Sequence, residues 1–269
     1  MPENLQRQHL SIMSSLRLVP TDLLKQYLLS APENLVELFD ALHDAELSTP
    51  DFSFYTSVAS VFSSKIEGEE IELDSYIRHK RDSIPFLPDY TRKIDDLYAA
   101  YQFAQSSKLN EENMEQAHRI LSSHILSGVW QGKYRAGNMY VATDNGSIEY
   151  VAAHPGSVSE EMSKLFADIY DLLSTELSAV ESFYYASMIH LVLVKIHPFN
   201  DGNGRTARLL EKWFLAEKLG AKAWYLQSER LYYQHHREYY NNLRALGLEY
   251  EELDYGKAGA FVKMLISVF

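Results

Sequence analysis

His197-Pro198-Phe199-Asn200-Asp201-Gly202-Asn203-Gly204-Arg205-Thr206-Ala207-Arg208 joins two strongly apolar helical patterns and has the make-up of an anion-binding loop. A histidine and a carboxylate stand four residues apart, a Gly-Asn-Gly turn follows, and the next helical pattern opens with two arginines. Glycines let backbone N–H groups come close to an anion, and a helix N-terminus adds partial positive charge. Arg205 and Arg208 are three residues apart, so on a helix both can converge on one phosphate group. Asp201 can hold Mg²⁺, a hard cation usually bound by one or two carboxylates plus substrate phosphates. His197 is the one residue of the stretch whose ordinary pKa, about 6.5, suits a general base at neutral pH. Taken singly these signals are common, and a lone histidine at a helix end is more often structural; taken together they describe a polyphosphate site.

Working outward, helical periodicity covers 180–196 before the loop and 205–219 after it, where Gly220 stops the pattern. Upstream, helices are predicted over 21–29, 32–42 (Pro32 suits a first turn), 54–66, 73–80, 90–104, 111–126 and 159–173. Gly68 falls where a C-terminal cap of the third would lie, and the Pro-containing connector at 83–88 is the best boundary candidate. Downstream, helices are predicted over 229–246 and 256–268. The pattern breaks between Gly132 and Ala152, where Asn145-Gly146 between two β-favouring runs predicts a hairpin turn. A mainly α fold with one β-hairpin follows, without internal repeats or low-complexity tracts.

Composition narrows the function. With 269 residues and 46% hydrophobic content, the chain can bury a substantial core and is not a disordered protein. The 37 Asp+Glu against 25 Lys+Arg give a formal net charge of −12, which leaves no basic excess for nucleic acid. Any anionic ligand is therefore held by a few local cations against the field of the whole protein. The absence of cysteine excludes disulfides, thiolate zinc sites and cysteine nucleophiles. The start, Met1-Pro2-Glu3-Asn4-Leu5, lacks the form of a signal peptide, and the apolar stretch at 186–196 is interrupted by His190 and Lys195. The expectation is a soluble, cytoplasmic protein without membrane contact. His190 with His197, and His235-His236, lack the spacing of a zinc site.

As a unit, 197–208 matches H-x-F-x-[D/E]-G-N-G-R-x-x-R, the signature of the Fic family, at all eight specified positions. The sequence thus resembles a Fic-domain protein, a family of AMP transferases acting on protein hydroxyl groups. The resemblance covers roughly 111–242 and implies a Fic-like helical core at 109–269 with one β-hairpin flap, and an N-terminal helical region at 1–108 packed on it. Gly132-Lys133-Tyr134-Arg135 through Tyr150-Val151-Ala152-Ala153-His154-Pro155 is similar to the family's flap, although the family usually has several prolines where only Pro155 stands here. In the family the flap pairs with a target peptide as an added strand; the plain alternative is a hairpin that only covers the core.

The resemblance implies that His197 deprotonates a target Ser, Thr or Tyr hydroxyl, which attacks the α-phosphorus of ATP. It implies that Asp201 positions Mg²⁺, that Gly202, Asn203 and Gly204 form an anion nest, and that Arg205 and Arg208 neutralise the β- and γ-phosphates. Phe199 would anchor the loop in the core. Tyr239-Tyr240 resembles a tyrosine pair of the family's nucleotide pocket; Tyr232-Tyr233 competes with it, and core packing is the bland alternative for both.

Ser63-Ser64-Lys65-Ile66-Glu67-Gly68 matches the family's inhibitory pattern [S/T]-x-x-x-E-[G/N]. Ser63 and Glu67 share one helix face, on a helix at about 54–68. The resemblance implies that Glu67 pairs with Arg208 and keeps the γ-phosphate from its productive place; the alternative is an ordinary helix end with a solvated carboxylate among Glu69, Glu70 and Glu72. The expected activity is ATP- and Mg²⁺-dependent protein adenylylation, autoinhibited by Glu67, on a target protein docked at the 133–155 flap. Two alternatives stay open: hydrolytic removal of AMP from a modified protein with Glu67 orienting water, and a non-catalytic binding module using the flap. Target and oligomeric state are not legible.

Overall fold

An 18-residue helix with almost no polar face, α8 (Ala179–Ile196), organises the molecule, a computed structural model that describes residues 16–85, 88–142 and 148–269. Its start is fixed by a capping box in which Ser178 and Glu181 exchange side-chain and backbone hydrogen bonds. Every residue from Ser182 to Leu193 is buried, because the helix is enclosed by α7 (Val158–Ser174), α9 (Asn203–Leu219), α12 (Gly259–Ile266), α1 (Leu24–Ser30) and α2 (Leu35–Asp40). By length and composition alone α8 could cross a bilayer, yet 78% of it is buried inside the protein, which satisfies its apolar surface there.

The remaining helices are α3 (Phe54–Ile66), α4 (Leu73–Asp82), α5 (Pro88–Gln105), α6 (Glu111–Leu121), α10 (Ser228–Gln234) and α11 (His236–Arg244). Helix α3 packs on α5, α9 and α10 through a stripe of small buried side chains, among them Ser57, Ser60, Ser63 and Ser64. Ser53 caps its N-terminus by accepting the Thr56 N–H at 3.2 Å. At the other end Gly68 adopts φ +89°, the left-handed step that a C-terminal cap requires. Strands β1 (Tyr140–Ala142) and β2 (Ile148–Val151) pair antiparallel in the register Tyr140 with Val151 and Val141 with Tyr150, with a bulge before Ala142. The Asn145-Gly146 turn lies outside the described residues. The Val151 N–H donates to Leu248 O at 2.8 Å, tying the hairpin to the chain after α11.

The fold is mainly α with one hairpin, and the departures from the expected elements have local causes. Helix α6 stops at Leu121 rather than 126, because Ser122 Oγ and Ser123 Oγ donate to the carbonyls of His118 and Ile120 and end the ladder. Helix α2 begins at Leu35, so Pro32 precedes it and accepts the Leu35 N–H instead of occupying its first turn. Helix α9 begins at Asn203, two residues early, and absorbs part of the Gly-Asn-Gly turn. The expected helix at 229–246 is two helices divided at His235, for which no sequence feature accounts.

Candidate active site

His197 ends α8 in the left-handed conformation, φ 53° and ψ 59°, which only Ser83 approaches among the other described non-glycine residues. Such backbone costs about 1–3 kcal/mol and persists where its surroundings over-determine it. Here the surroundings are Arg135, 2% exposed, whose guanidinium donates to four backbone carbonyls. Its Nε reaches His197 O at 2.7 Å, Nη1 reaches Gly137 O at 2.8 Å, and Nη2 reaches Ile196 O at 3.2 Å and Ala153 O. The Arg135 N–H adds a bond to Pro198 O at 2.8 Å. One side chain thus joins the end of α8, the loop and both ends of the flap. We expect Arg135→Ala to lower unfolding free energy by at least about 3 kcal/mol in denaturant melts, since several buried carbonyls lose a charged donor; a loss under about 1 kcal/mol would exclude this bracing role.

His118 braces the loop from the other side. Its ring stacks on Phe199 with centroids 3.5 Å apart, and Phe199 is fully buried between it and Tyr134. Burial lowers the His118 pKa to about 4, so the ring is neutral: Nδ1 accepts the Gly132 N–H at 3.0 Å and Nε2–H donates to Asp201 O at 2.9 Å. Arg135 was visible in the sequence only as the end of the flap-opening string; His118 carried no signal beyond helical spacing.

The His197 ring is set up to accept a proton. Nδ1–H donates to Val194 O at 3.2 Å, which leaves the lone pair on Nε2. Burial pushes the imidazole below its usual 6.5, and Arg135 adds to this; the Val194 bond and the charges of Glu67 and Asp201 oppose it without reversing it. The ring is neutral at pH 7.

Beyond it, Gly202 precedes α9 at φ +80°, where a Cβ would meet Leu121 Cδ1 at 3.1 Å and His118 Nε2 at 3.3 Å. Asn203 pins the loop with its side chain: Oδ1 accepts the Phe199 N–H at 2.8 Å and Nδ2 donates to Phe199 O at 2.9 Å. The expected nest is therefore the first turn of a helix, with the Asn203 amide engaged in the loop. Gly204 lines a cradle too narrow for a side chain, since a Cβ would stand 2.5 Å from Glu67 Oε1 and 3.1 Å from Arg208 Nη1. Asp201 is exposed at the loop's edge; Oδ1 accepts the Gly202 N–H at 2.6 Å, and Oδ2 makes no hydrogen bond among the described residues. One accessible carboxylate beside an anion cradle fits Mg²⁺, which keeps several waters and takes phosphate oxygens. Among the described residues no three His, Asp or Glu side chains converge on a point, so a cation here depends on ligand oxygens.

Arg208 is fully buried and gripped by α3. Nη2 lies 2.7 Å from Glu67 Oε1 and 3.0 Å from Ser63 O, while Nε donates to Ser63 Oγ at 2.8 Å. Burial pushes the Glu67 carboxyl up, but Arg208, Arg205 and the Arg208 hydrogen bond together outweigh it and hold the carboxyl below its usual range. Arg205 is buried as well; its nearest carboxylate is Glu69 at 3.7 Å and its Nε has no partner among the described residues.

A cavity of about 140 Å³ is lined by Glu67, His197, Gly204 and Arg208 together with flap and α11 residues. Tyr239 and Tyr240 both line it, and the Tyr239 hydroxyl accepts from Arg208 Nη1 at 3.5 Å. Tyr232 is instead buried against Glu211, and Tyr233 packs on Phe62. His190 is in this interior too, its Nδ1 2.7 Å from Glu211 and its Nε2 3.0 Å from the Tyr239 oxygen, rather than beside His197.

The chain is similar to known proteins. The Fic/DOC family model matches residues 108–215. Protein adenylyltransferase Fic of Culex quinquefasciatus is 30% identical over 167 residues, which is 58% of this chain and 29% of that protein. Protein adenylyltransferase fic-1 of Caenorhabditis briggsae is 36% identical over 119 residues, 42% of this chain and 22% of that protein. The matched region is thus under a third of those curated relatives' length. Among solved structures, a Fic family protein from Desulfovibrio desulfuricans superposes over 100% of this chain and 72% of its own, with TM-score 0.65 at 20% identity.

Proposed function

We propose that this chain, whose residues 108–215 are a Fic/DOC-family domain, is a protein adenylyltransferase held inactive by its own helix α3. The observation that carries the reading is a neutral histidine with an open Nε2 lining the same cavity as Gly204 and Arg208. A triphosphate in the cradle meets the helix N-terminus and the two arginines. A target hydroxyl beside His197 gives its proton to Nε2 while its oxygen forms a bond to the α-phosphorus. The bond from that phosphorus to the α–β bridging oxygen breaks, and pyrophosphate leaves. Most of the catalysis is positioning and charge stabilisation. Mg²⁺, when bound, supplies charge neutralisation at phosphate oxygens, and Asp201 is the residue that would hold it. The target docks on the 133–155 flap, where β1 offers a short hairpin edge for main-chain pairing.

Two expectations arise here. In Glu67→Gly protein at saturating ATP, the acid limb of the transfer rate should lie below pH 6.5, because protonation of His197 removes its lone pair and its pKa lies below 6.5. An acid limb centred above pH 7 in a stopped-time labelling assay would contradict the assignment. Asp201→Ala should reduce transfer by at least about tenfold in a way that excess Mg²⁺ does not fully restore. Undiminished transfer in excess chelator would remove the metal from the reading.

A further inference from the structure

Among the described residues five charged side chains line the cavity beside His197, and four of them are matched. Arg208 pairs with Glu67 at 2.7 Å, and Arg244 of α11 pairs with Glu149 of β2 across the flap side. The fifth is Lys195. It is 2% exposed, and among the described residues its Nζ makes no hydrogen bond and no ion pair. Its one charge contact is the Tyr150 ring of β2, with Nζ 4.0 Å from the centroid. Burial alone lowers its pKa to about 8, so at neutral pH it is mostly an ammonium. A buried cation without a counter-charge is costly unless something else satisfies it. Here the open direction is the cavity.

The surroundings of Lys195 differ from those of the arginines. Arg208 stands at the start of α9 beside Gly204, where phosphates belong under the function proposed above. Lys195 stands against Tyr150 of the flap, and the cavity walls include Val141 and Tyr150 of the hairpin and Tyr240 and Leu243 of α11. Flat aromatic and aliphatic walls suit the faces of a nucleobase, which stacks without regard to its identity. Identity is read by hydrogen bonds at the base edge. With Arg208 engaged by Glu67 and Arg244 by Glu149, Lys195 is, among the described residues, the lining cation without an ion-pair partner. We propose that Lys195 reads the base of the donor nucleotide, its Nζ donating to a ring-nitrogen or carbonyl acceptor on the edge of a base held between the flap and α11. The inference rests on the nucleotide-binding reading and adds to it the residue that sets donor choice.

The test separates the two ends of the ligand. Lys195→Met keeps an unbranched stem over Tyr150 and removes the charge; Lys195→Arg keeps a donor. Both are made in full-length Glu67→Gly protein and checked for unchanged melting. ATP with Mg²⁺ and inorganic tripolyphosphate are then titrated by calorimetry. Lys195→Met should weaken ATP about tenfold and change tripolyphosphate by no more than about twofold, while Lys195→Arg stays within a few-fold of its parent for both. ATP affinity unchanged in Lys195→Met would overturn the proposal. Equal weakening of both ligands would also overturn it, by making Lys195 a phosphate contact. If the parent binds tripolyphosphate and ATP equally well, the base contact falls while the phosphate site stands. If it binds neither, the nucleotide reading falls and takes this one with it.

Discussion

Replacing His197 by alanine should lower AMP transfer by about 10²–10⁴-fold and leave nucleotide affinity within a few-fold of the parent protein, since positioned general bases contribute on that scale. The split follows from what each group touches. Under the proposed function affinity comes from the start of α9, from Arg205 and from Arg208, none of which His197 contacts through a hydrogen bond. The imidazole spends Nδ1 on Val194 O, which leaves Nε2 available to an attacking hydroxyl. Its backbone conformation is fixed by Arg135 acting on main-chain atoms, so the alanine variant should retain the loop's shape. Rates measured with labelled ATP and affinities from titration decide the matter. Transfer within a few-fold of the parent would remove His197 from the mechanism, and a matching loss of affinity would make it a structural residue.

Glu67→Gly should raise transfer, including self-modification, by an order of magnitude or more. In the structure the Glu67 carboxylate lies 2.7 Å from Arg208 and beside the cradle of Gly204, where a Cβ at position 204 would already touch it. A terminal phosphate aimed at the same guanidinium meets a like charge at contact distance. Removing the carboxylate removes the repulsion and frees one N–H of Nη2, while Ser63 still orients Arg208 through Oγ and its carbonyl. Arg208 is therefore released without being left unsupported. Helix α3 should survive, because Glu67 is its C-terminal cap and a glycine there costs at most about 1 kcal/mol. Equal labelling by folded wild-type and variant proteins would refute the inhibitory role. Loss of AMP removal from a modified target in the variant would instead make Glu67 a catalytic residue of the reverse reaction.

Glu67 has its pKa lowered in the folded state, so the clamp is intact above the ordinary carboxylate range and is lost as pH falls through that lowered pKa. Between pH 6 and 8 the clamp is fully charged, and changes of activity in that window belong to other groups.

Much of this site was legible because its parts are close in sequence. His197, Asp201, Gly204 and the arginines lie within one loop and one helix turn, and Ser63 and Glu67 within one turn of α3. Helix spacing put Arg205 with Arg208, and Ser63 with Glu67, on shared faces, while the Fic signature gathered the loop residues. The helix α3 ended where Gly68 suggested, since a left-handed cap has few alternatives. What stayed hidden were the braces that act over long sequence separations through backbone atoms. Arg135 serves carbonyls at Gly137, Ala153, Ile196 and His197, and His118 serves Asp201 and Gly132. Carbonyls carry no side-chain code, so a pattern search has nothing to match. The early start of α9 was missed for a related reason: Gly-Asn-Gly reads as a turn, while the Asn203 side chain clamping Phe199 makes it a helix start.

The central claim is that the cavity transfers the α-phosphoryl group of ATP, as AMP, to a protein hydroxyl with His197 as base. Two parallel incubations of Glu67→Gly protein with a cell extract test it most directly, one with ATP labelled at the α-phosphorus and one with the label at the γ-phosphorus. The account predicts protein-bound label from the α-position alone, released pyrophosphate carrying the γ-label, and no protein-bound label when His197→Ala is added. Protein-bound γ-label, or α-label that persists without His197, would contradict it.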